Sequence, residues 1–350
     1  MPTRDGIGKG AAIMVRLAEQ VQGERQARMV LSMIAEPDDP AMGRVLGRVG
    51  GVETLRLIED DRAAVPGMNR ADALAWRDRL TAATRPEVLI GRIRQAEAAG
   101  IGTVIPADSS WPGSLDVLGA RAPYVLWTRG ADSFLSRPLL DFVTIVGSRA
   151  STSYGERVAG EFAADFARDD RVIVGGGSYG IEAAAHRAAL ASGGSTIAVL
   201  AGGVDRPYPA GHRDLLDQVA DVGLVVSEVP PGETPSRHRF QARGRLMAAL
   251  SNVTILVEAG ARSGAMRAAE QAHDLGRRVG AVPGPVTSAT SSGPHLLLQE
   301  RRGEIVTDAS QIINMLHMTE ALNEAPTGSL LPPRFRSAPP PQHSTDTPTL

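Results

Sequence analysis

The chain has 350 residues, 43% of them hydrophobic, enough for one large core and a smaller satellite unit. No stretch approaches the roughly 20 apolar residues of a membrane span, and the N-terminus carries no basic run leading into an apolar segment with a small-residue cleavage site, so no membrane partner and a cytoplasmic location are expected. Cysteine is absent, which excludes disulfides and thiolate metal sites; the seven histidines show no ligand spacing, and neither metal nor cofactor is expected. The formal charge of -2 gives no global pull toward nucleic acid, so binding of that kind must come from a local patch. Lys9 is the sole lysine among 37 basic residues, so arginine content reflects overall composition and only arginine clustering is informative.

Up to about Arg85 the sequence reads as short amphipathic helices broken at Gly23, Pro37 to Pro40, Gly50-Gly51 and Pro66-Gly67. This predicts a small helical accessory domain over 1–85. Gly43, Gly47 and Gly50-Gly51 fit either plain scaffold turns or a helix-hairpin-helix-like backbone contact to phosphates. From Pro86 the pattern changes to apolar runs alternating with helices: Thr144 to Val146, Val172 to Val174, Thr196 to Leu200, Leu224 to Val226, Thr254 to Val257 and Val279 to Val282. Near-continuous apolar strands predict a parallel α/β sheet with helices on both faces, over 86–317. After Tyr154, the spacing of Val158, Phe162 and Phe166 puts them on one helix face, and a second helix runs from Ile181 to Ala191 and stops at Gly193-Gly194. Residues 318–350 form a Pro-rich tail, expected to be disordered.

Three constellations carry chemistry. Gly147-Ser148-Arg149 ends a strand just before a helix, where backbone N–H groups, the helix dipole and a guanidinium suit a phosphate. The loop Gly175, Gly176, Gly177, Ser178, Tyr179 and Gly180 repeats the device, since glycine lets a ligand approach the main chain closely. Either loop alone fits tight helix–strand packing equally well. Arg237, Arg239, Arg243 and Arg245 surround Phe240 with no acidic residue in the span, a combination suited to phosphate pairing and base stacking. Ser263-Gly264 and Pro283-Gly284 lie at further strand ends, where ligands of open α/β sheets collect. Glu258 fits an acceptor for loop N–H groups better than a catalytic carboxylate, because no partnered nucleophile or second carboxylate stands at recognisable spacing. Asp205 and Tyr208-Pro209 read as turn residues, and His186 as a packed helix residue.

Taken in order, Val143 to Arg149, Gly176 to Glu182, Ala185 to Arg187, Asp205 with Tyr208-Pro209, Leu224 to Glu228, Phe240 to Ser251, Val257 to Ala259, Ser263-Gly264 and Ala281 to Gly284 resemble the DNA-processing protein A (DprA/Smf) family. The resemblance covers roughly Arg92 to Glu300. It implies an extended Rossmann-like fold that binds single-stranded DNA without sequence preference, forms a homodimer, helps load the RecA recombinase during uptake of transforming DNA, and is not an enzyme. It assigns DNA contacts to Arg149, Arg237, Phe240, Arg243 and Arg245, to which the loop and strand-end readings add Gly147, Ser148, Gly175, Gly176, Gly177, Ser178, Gly180, Ser263 and Gly264.

The chain departs from the family pattern at Gly244, where Asn is usual, at Glu182 in place of Asp, at His212 and His295 in place of Asn, at Arg301-Arg302 in place of Gly-Ala, and at Ala268 in place of Thr. The Pro-rich tail stands where the family carries a winged helix. The competing class is a nucleotide-binding sensor or nucleotide phosphoribohydrolase-like enzyme of the same superfamily; its glycine-threonine element is missing from Glu258 to Gly264. A dinucleotide-binding dehydrogenase would need G-x-G-x-x-G after the first strand, which neither loop supplies. From the tail's composition, deleting residues 332–350 should leave the melting temperature and DNA binding unchanged; a large drop in melting temperature would contradict that reading.

Overall fold

The computed structural model describes residues 16–81 and 85–324. The expectations for Lys9 and for the tail from Ala325 onward lie outside the described residues; residues 318–324, expected within the tail, are helical. In chain order the elements are α1 (Leu17–Gln20), α2 (Gly23–Ile34), α3 (Pro40–Glu59), α4 (Arg70–Thr81), α5 (Pro86–Ala98), β1 (Gly102–Val104), β2 (Leu126–Gly130) and β3 (Phe142–Val146). Then come α6 (Ser153–Arg168), β4 (Val172–Gly175), α7 (Ile181–Ala191), β5 (Thr196–Leu200), α8 (Arg213–Val222), β6 (Leu224–Ser227) and α9 (Arg237–Leu250). The chain closes with β7 (Val253–Leu256), α10 (Gly264–Asp274), β8 (Arg278–Ala281), α11 (Ser292–Gln299), β9 (Glu304–Ile305) and α12 (Ala309–Glu324).

The strands form one sheet in the order β1-β2-β6-β5-β4-β3-β7-β8-β9. From β6 to β9 all neighbours are parallel. Every residue of β3 to β7 is buried, as expected of strands covered on both faces. The α/β fold class therefore stands as read from the sequence. Pattern reading did not find β1, β2 and β9. The first two pair antiparallel at one edge, and β9 has only two residues, too short to show any period.

Successive β-residues point to opposite faces, which sorts the core into layers. Val143, Ile145, Ile173 and Ile255 pack against Phe162 and Phe166 of α6 and Ile312 and Leu316 of α12. On the other face, Val146, Val174, Val199 and Leu256 meet Leu246, Leu250 and Met266 of α9 and α10. The chain runs outward from β3 to β6, then returns through α9 to start β7 on the far side of β3. The crevice between β3 and β7 is thus the topological switch point, where helices leave toward opposite faces and a ligand has room.

Helices α1 to α5 do not have a core of their own. Met29, Leu31, Val45, Leu55 and Trp76 belong to one cluster with Trp127, Leu200, Leu216 and Val225 of the sheet and α8. Leu89, Ile93 and Ala96 of α5 share that cluster. Helix α3 starts where Asp39 caps the Ala41 and Met42 N–H groups at 2.8 and 3.2 Å, with Pro40 in the first turn. Its glycines serve packing: Gly51 donates its N–H to Glu24 at 2.7 Å, and a Cβ on Gly43 would stand 1.8 Å from the Ala120 carbonyl oxygen. These contacts favour the scaffold reading of the helical unit. Gly43→Ala should therefore lower stability by about 1–3 kcal/mol or more, because backbone must move. Gly47→Ala, which meets nothing within 4 Å, should be neutral or raise stability by up to about 1 kcal/mol. Parallel thermal melts check both.

Candidate nucleic-acid interface

The β3–α6 loop crosses the switch point. Thr152 caps α6, and the Glu258 carboxylate, at the end of β7, accepts from the Thr152 N–H at 2.9 Å and its hydroxyl at 2.7 Å. Both Glu258 oxygens are thus engaged in holding the loop, the acceptor role read from the sequence. The Ser148 N–H donates to the Glu258 carbonyl at 2.6 Å, so that amide is already used. Gly147 is buried against Ile181, and a Cβ on it would meet Ile181 at 2.5 Å. Arg149, by contrast, is exposed at the crest of the loop.

The β4–α7 loop differs from expectation. Gly175, Gly176, Gly177 and Ser178 are buried, and their polar groups are satisfied from within. Glu182 accepts from the Ser178 N–H at 2.9 Å and from its hydroxyl. Arg243 donates to the Gly176 carbonyl, and His212 Nδ1 lies 3.0 Å from that of Gly177. A Cβ on Gly176 would collide with the Arg243 guanidinium at 2.2 Å, so that glycine makes room for protein. Gly180, with φ at +75°, brings α7 against the first loop, where a Cβ would meet the Ser148 carbonyl at 2.3 Å. The four buried residues support the rim from below and do not face a ligand.

Helix α9 divides its arginines by face. One residue advances about 100°, so Arg243 and Arg245, two apart, leave on opposite sides. Arg245 is 1% exposed and forms a two-bond fork with Glu228, 2.6 Å per bond, with Asp38 at 3.1 Å and the Arg121 carbonyl at 2.9 Å. It is a core ion pair and is unavailable to phosphate, which corrects its assignment as a DNA contact. Arg239 is likewise consumed, by Glu36 and Glu233. Arg243 is mostly buried against Glu182. Burial opposes the charge on Glu182, but Arg243 and the two Ser178 donors outweigh it and hold the carboxyl below its ordinary value.

Arg237, Phe240, Gln241 and Gly244 form the remaining stripe of α9, spaced i, i+3, i+4, i+7. Together with Arg149 above and Gly264, Arg267 and Gln271 of α10 beside them, they line a cavity of about 390 Å³. Helix α10, whose first turn is capped by the Ser263 side chain bound to the Met266 N–H at 3.1 Å, contributes its positive end there. Arg149 Cζ lies 4.8 Å from the Phe240 ring centroid and Arg243 Cζ 5.3 Å. A guanidinium stacked this way keeps its in-plane N–H donors free for an anion. Of the arginines lining the cavity, Arg149, Arg237 and Arg267 have no carboxylate within ion-pair distance among the described residues, which leaves three uncompensated cations around it, and Arg262, just before α10, has none either. Arg262, Arg267, Gln241 and Gln271 were not singled out from the sequence. The signal was there in part, because Arg267 and Gln271 are i, i+4 on the helix that Ser263-Gly264 opens.

With this geometry in place, comparison with known proteins is informative. The sequence profile of the DNA recombination-mediator protein A family matches residues 102–317. The chain is 42% identical to the putative DNA processing protein DprA of Mycobacterium tuberculosis, over 85% of this chain and 76% of that one. The chain belongs to this family. It is also similar to the solved structure of DNA processing protein A from Streptococcus pneumoniae, with a TM-score of 0.66 and 27% identity over 86% of this chain and 98% of that one. A Helicobacter pylori member, whose structure describes a single-stranded DNA binding mode, gives a TM-score of 0.57 and 28% identity over 63% of this chain and 96% of that one. The family match starts at β1, so the helical unit lies outside it.

Beneath the rim, His186 is fully buried, its Nδ1 2.6 Å from the Thr196 hydroxyl and its Nε2 under Gly175. Burial, partly opposed by Glu182, pushes its pKa from 6.5 down to about 4. A folded-state value below the unfolded one means stability is complete above about pH 6.5 and is lost as pH falls toward 4. Between pH 7 and pH 4.5 the protein should lose on the order of 3 kcal/mol that His186→Leu does not lose, measured by urea denaturation of both. Arg245→Ala, which strands Glu228 in the core, should cost about 3–5 kcal/mol while leaving the salt dependence of ligand binding unchanged.

Proposed function

We propose that this chain binds single-stranded DNA without sequence preference at the Arg149–Phe240 cavity, hands it to RecA as part of DNA uptake and recombination, acts as a homodimer in the cytoplasm, and performs no catalysis. The observation that carries the reading is the set of three uncompensated arginines, Arg149, Arg237 and Arg267, around one aromatic-floored cavity at the switch point of the sheet. On α9 itself Arg239, Arg243 and Arg245 are each paired with a carboxylate from another segment, whereas Arg237, on the cavity side, is not, so the cavity face keeps positive charge suited to an anion. Membership of the family and the likeness to the Helicobacter pylori protein support single-stranded DNA as that anion.

In this reading Arg149 supplies a two-pronged phosphate contact, and Phe240 acts first as the platform that orients it. Arg237 and Arg267 hold flanking phosphates, Gln241 and Gln271 offer amides to base edges without fixing a sequence, and Gly264 presents the α10 N-terminus. Gly244 keeps the cavity open, since a Cβ there would come within 2.8 Å of Gln271 Oε1. The nucleotide-hydrolase alternative requires a free carboxylate, and Glu258, the one at the corresponding strand end, is 4% exposed and engaged at both oxygens.

Fluorescence anisotropy with single-stranded and duplex oligonucleotides at several salt concentrations tests the proposal. Single strand should bind more tightly, with log affinity falling as log salt rises. Arg149→Ala should weaken binding and make that slope shallower by roughly 0.7, one phosphate contact on a single strand. Tighter duplex binding, or an unchanged slope in the variant, would overturn the assignment.

A further inference from the structure

We propose that Tyr208 and Tyr179 form a second base-stacking station, which extends the Arg149 cavity along the rim of the sheet toward β5; the proposal rests on the single-strand reading of the same site. Aromatic side chains are scarce here, 4% of the chain, and most of those in the described residues are buried or half-buried. Among the described residues only three aromatic rings are exposed, Tyr154, Tyr179 and Tyr208, at 41, 47 and 48%. All three stand on loops or helix starts at the C-terminal ends of the parallel strands. Chance surface rings would be scattered around the molecule. Rings concentrated on one rim, beside unpaired arginines, match the pattern of a single-strand track.

Orientation narrows the station to two of them. Tyr154 donates its hydroxyl to the Pro283 carbonyl at 2.9 Å, on the β8 side of Arg149. Tyr208 lies edge-on to Phe240 at 6.0 Å, so it continues the floor of the cavity outward. Tyr179 is held edge-on to His212 at 4.4 Å, and its hydroxyl lies so close over Gly211 that a Cβ there would be 2.5 Å away. Tyr208, in the segment linking β5 to α8, is braced against Phe240, and Tyr179 against His212 of the same segment, so both rings are set in place before any ligand arrives, which reduces the ordering cost of binding.

Occupancy of Phe240 supplies the second argument. Two guanidiniums already lie within stacking distance of that ring, so a base displaces a cation–π contact if it stacks there. The tyrosines carry no cation in this way. Strands β5, β4 and β3 are consecutive, and at about 4.8 Å per spacing the rim from the β5 loop to Arg149 is roughly 10 Å long. A strand advancing ~3.4 Å or more per nucleotide covers that distance in two or three steps. Arg187 and Arg213 stand beside the station with no carboxylate in ion-pair distance, the former 3.4 Å from His212 Nε2, and are placed to meet the intervening phosphates.

The test uses the full chain and a fluorescent oligothymidylate of about 20 nucleotides, longer than the roughly 4–16 nucleotides one such groove covers. Tyr179→Leu with Tyr208→Leu should weaken binding by roughly 5- to 150-fold per lost ring, with the salt slope and the melting temperature unchanged. Tyr179→Phe with Tyr208→Phe, which keeps the rings and removes the hydroxyls, should bind like the unmodified chain. Binding by the double leucine variant within twofold of the unmodified chain overturns the proposal, as does a phenylalanine variant as weak as the leucine one. In either case Arg149→Ala still reports on the cavity itself, and failure of the unmodified chain to bind single strands overturns both readings.

Discussion

The buried fork between Arg245 and Glu228 is the contact on which the placement of the site depends. Helix α9 is the long crossover of the sheet, and its position decides whether Arg237 and Phe240 reach the crevice beyond β3. Arg245 ties the core side of α9 to Glu228, just beyond β6, and, through Asp38 and the Arg121 carbonyl, to the segments before α3 and β2. Asp38 is itself forked by Arg121 at 2.6 and 2.7 Å, while Glu36 grips Arg239 and the Pro37 carbonyl meets His238 Nε2 at 2.8 Å. Burial lifts the Glu228 carboxyl above its ordinary value even with Arg245 beside it, which shows how much desolvation the pair carries. Such a pair adds little net stability compared with apolar packing, but it specifies register, because any other seating of α9 strands a charge in the core.

The helical unit gains a role from this network. Its segment Ala35 to Asp39 reaches the first turns of the helix that lines the cavity, and its apolar cluster is continuous with the sheet through Trp127 and Val225. Trp127 Nε1 also donates to the Ser32 hydroxyl at 3.2 Å inside that cluster. The unit therefore acts as a brace for α9 from the side away from the ligand.

Charge is handled differently on the two sides of α9. Arginines turned toward protein each receive a carboxylate; those turned toward the cavity receive an aromatic face or nothing. The cluster of cations at the cavity is a local property of the fold and is invisible in the slightly negative total. The same division explains the second glycine loop. Its backbone groups are consumed by Glu182, Arg243 and His212, so it stiffens the rim on which Tyr179 and Gly180 stand.

Apolar runs with a Gly or Ser turn after each were enough to read the parallel sheet, α6, α7 and the location of the first loop, because burial on both faces dictates strand composition locally. The strands that escaped, β1, β2 and β9, are the antiparallel ones and the two-residue edge strand, whose residues follow neither the apolar-run pattern of the buried parallel strands nor any readable period. At the site, the sequence by itself determined that arginines and one phenylalanine gather near 237–245 and that Arg149 follows a strand. Only the tertiary structure decided which of them faces a ligand. Arg243 and Arg245 are equivalent in sequence, and a 200° turn of the helix sends one to the rim and the other into the core. Tyr179 and Tyr208 are 29 residues apart and both stand at the C-terminal ends of β4 and β5, which pair in parallel. Side-chain chemistry is written residue by residue, but exposure and partnership are set by contacts between distant segments, and these exist only once the chain has packed.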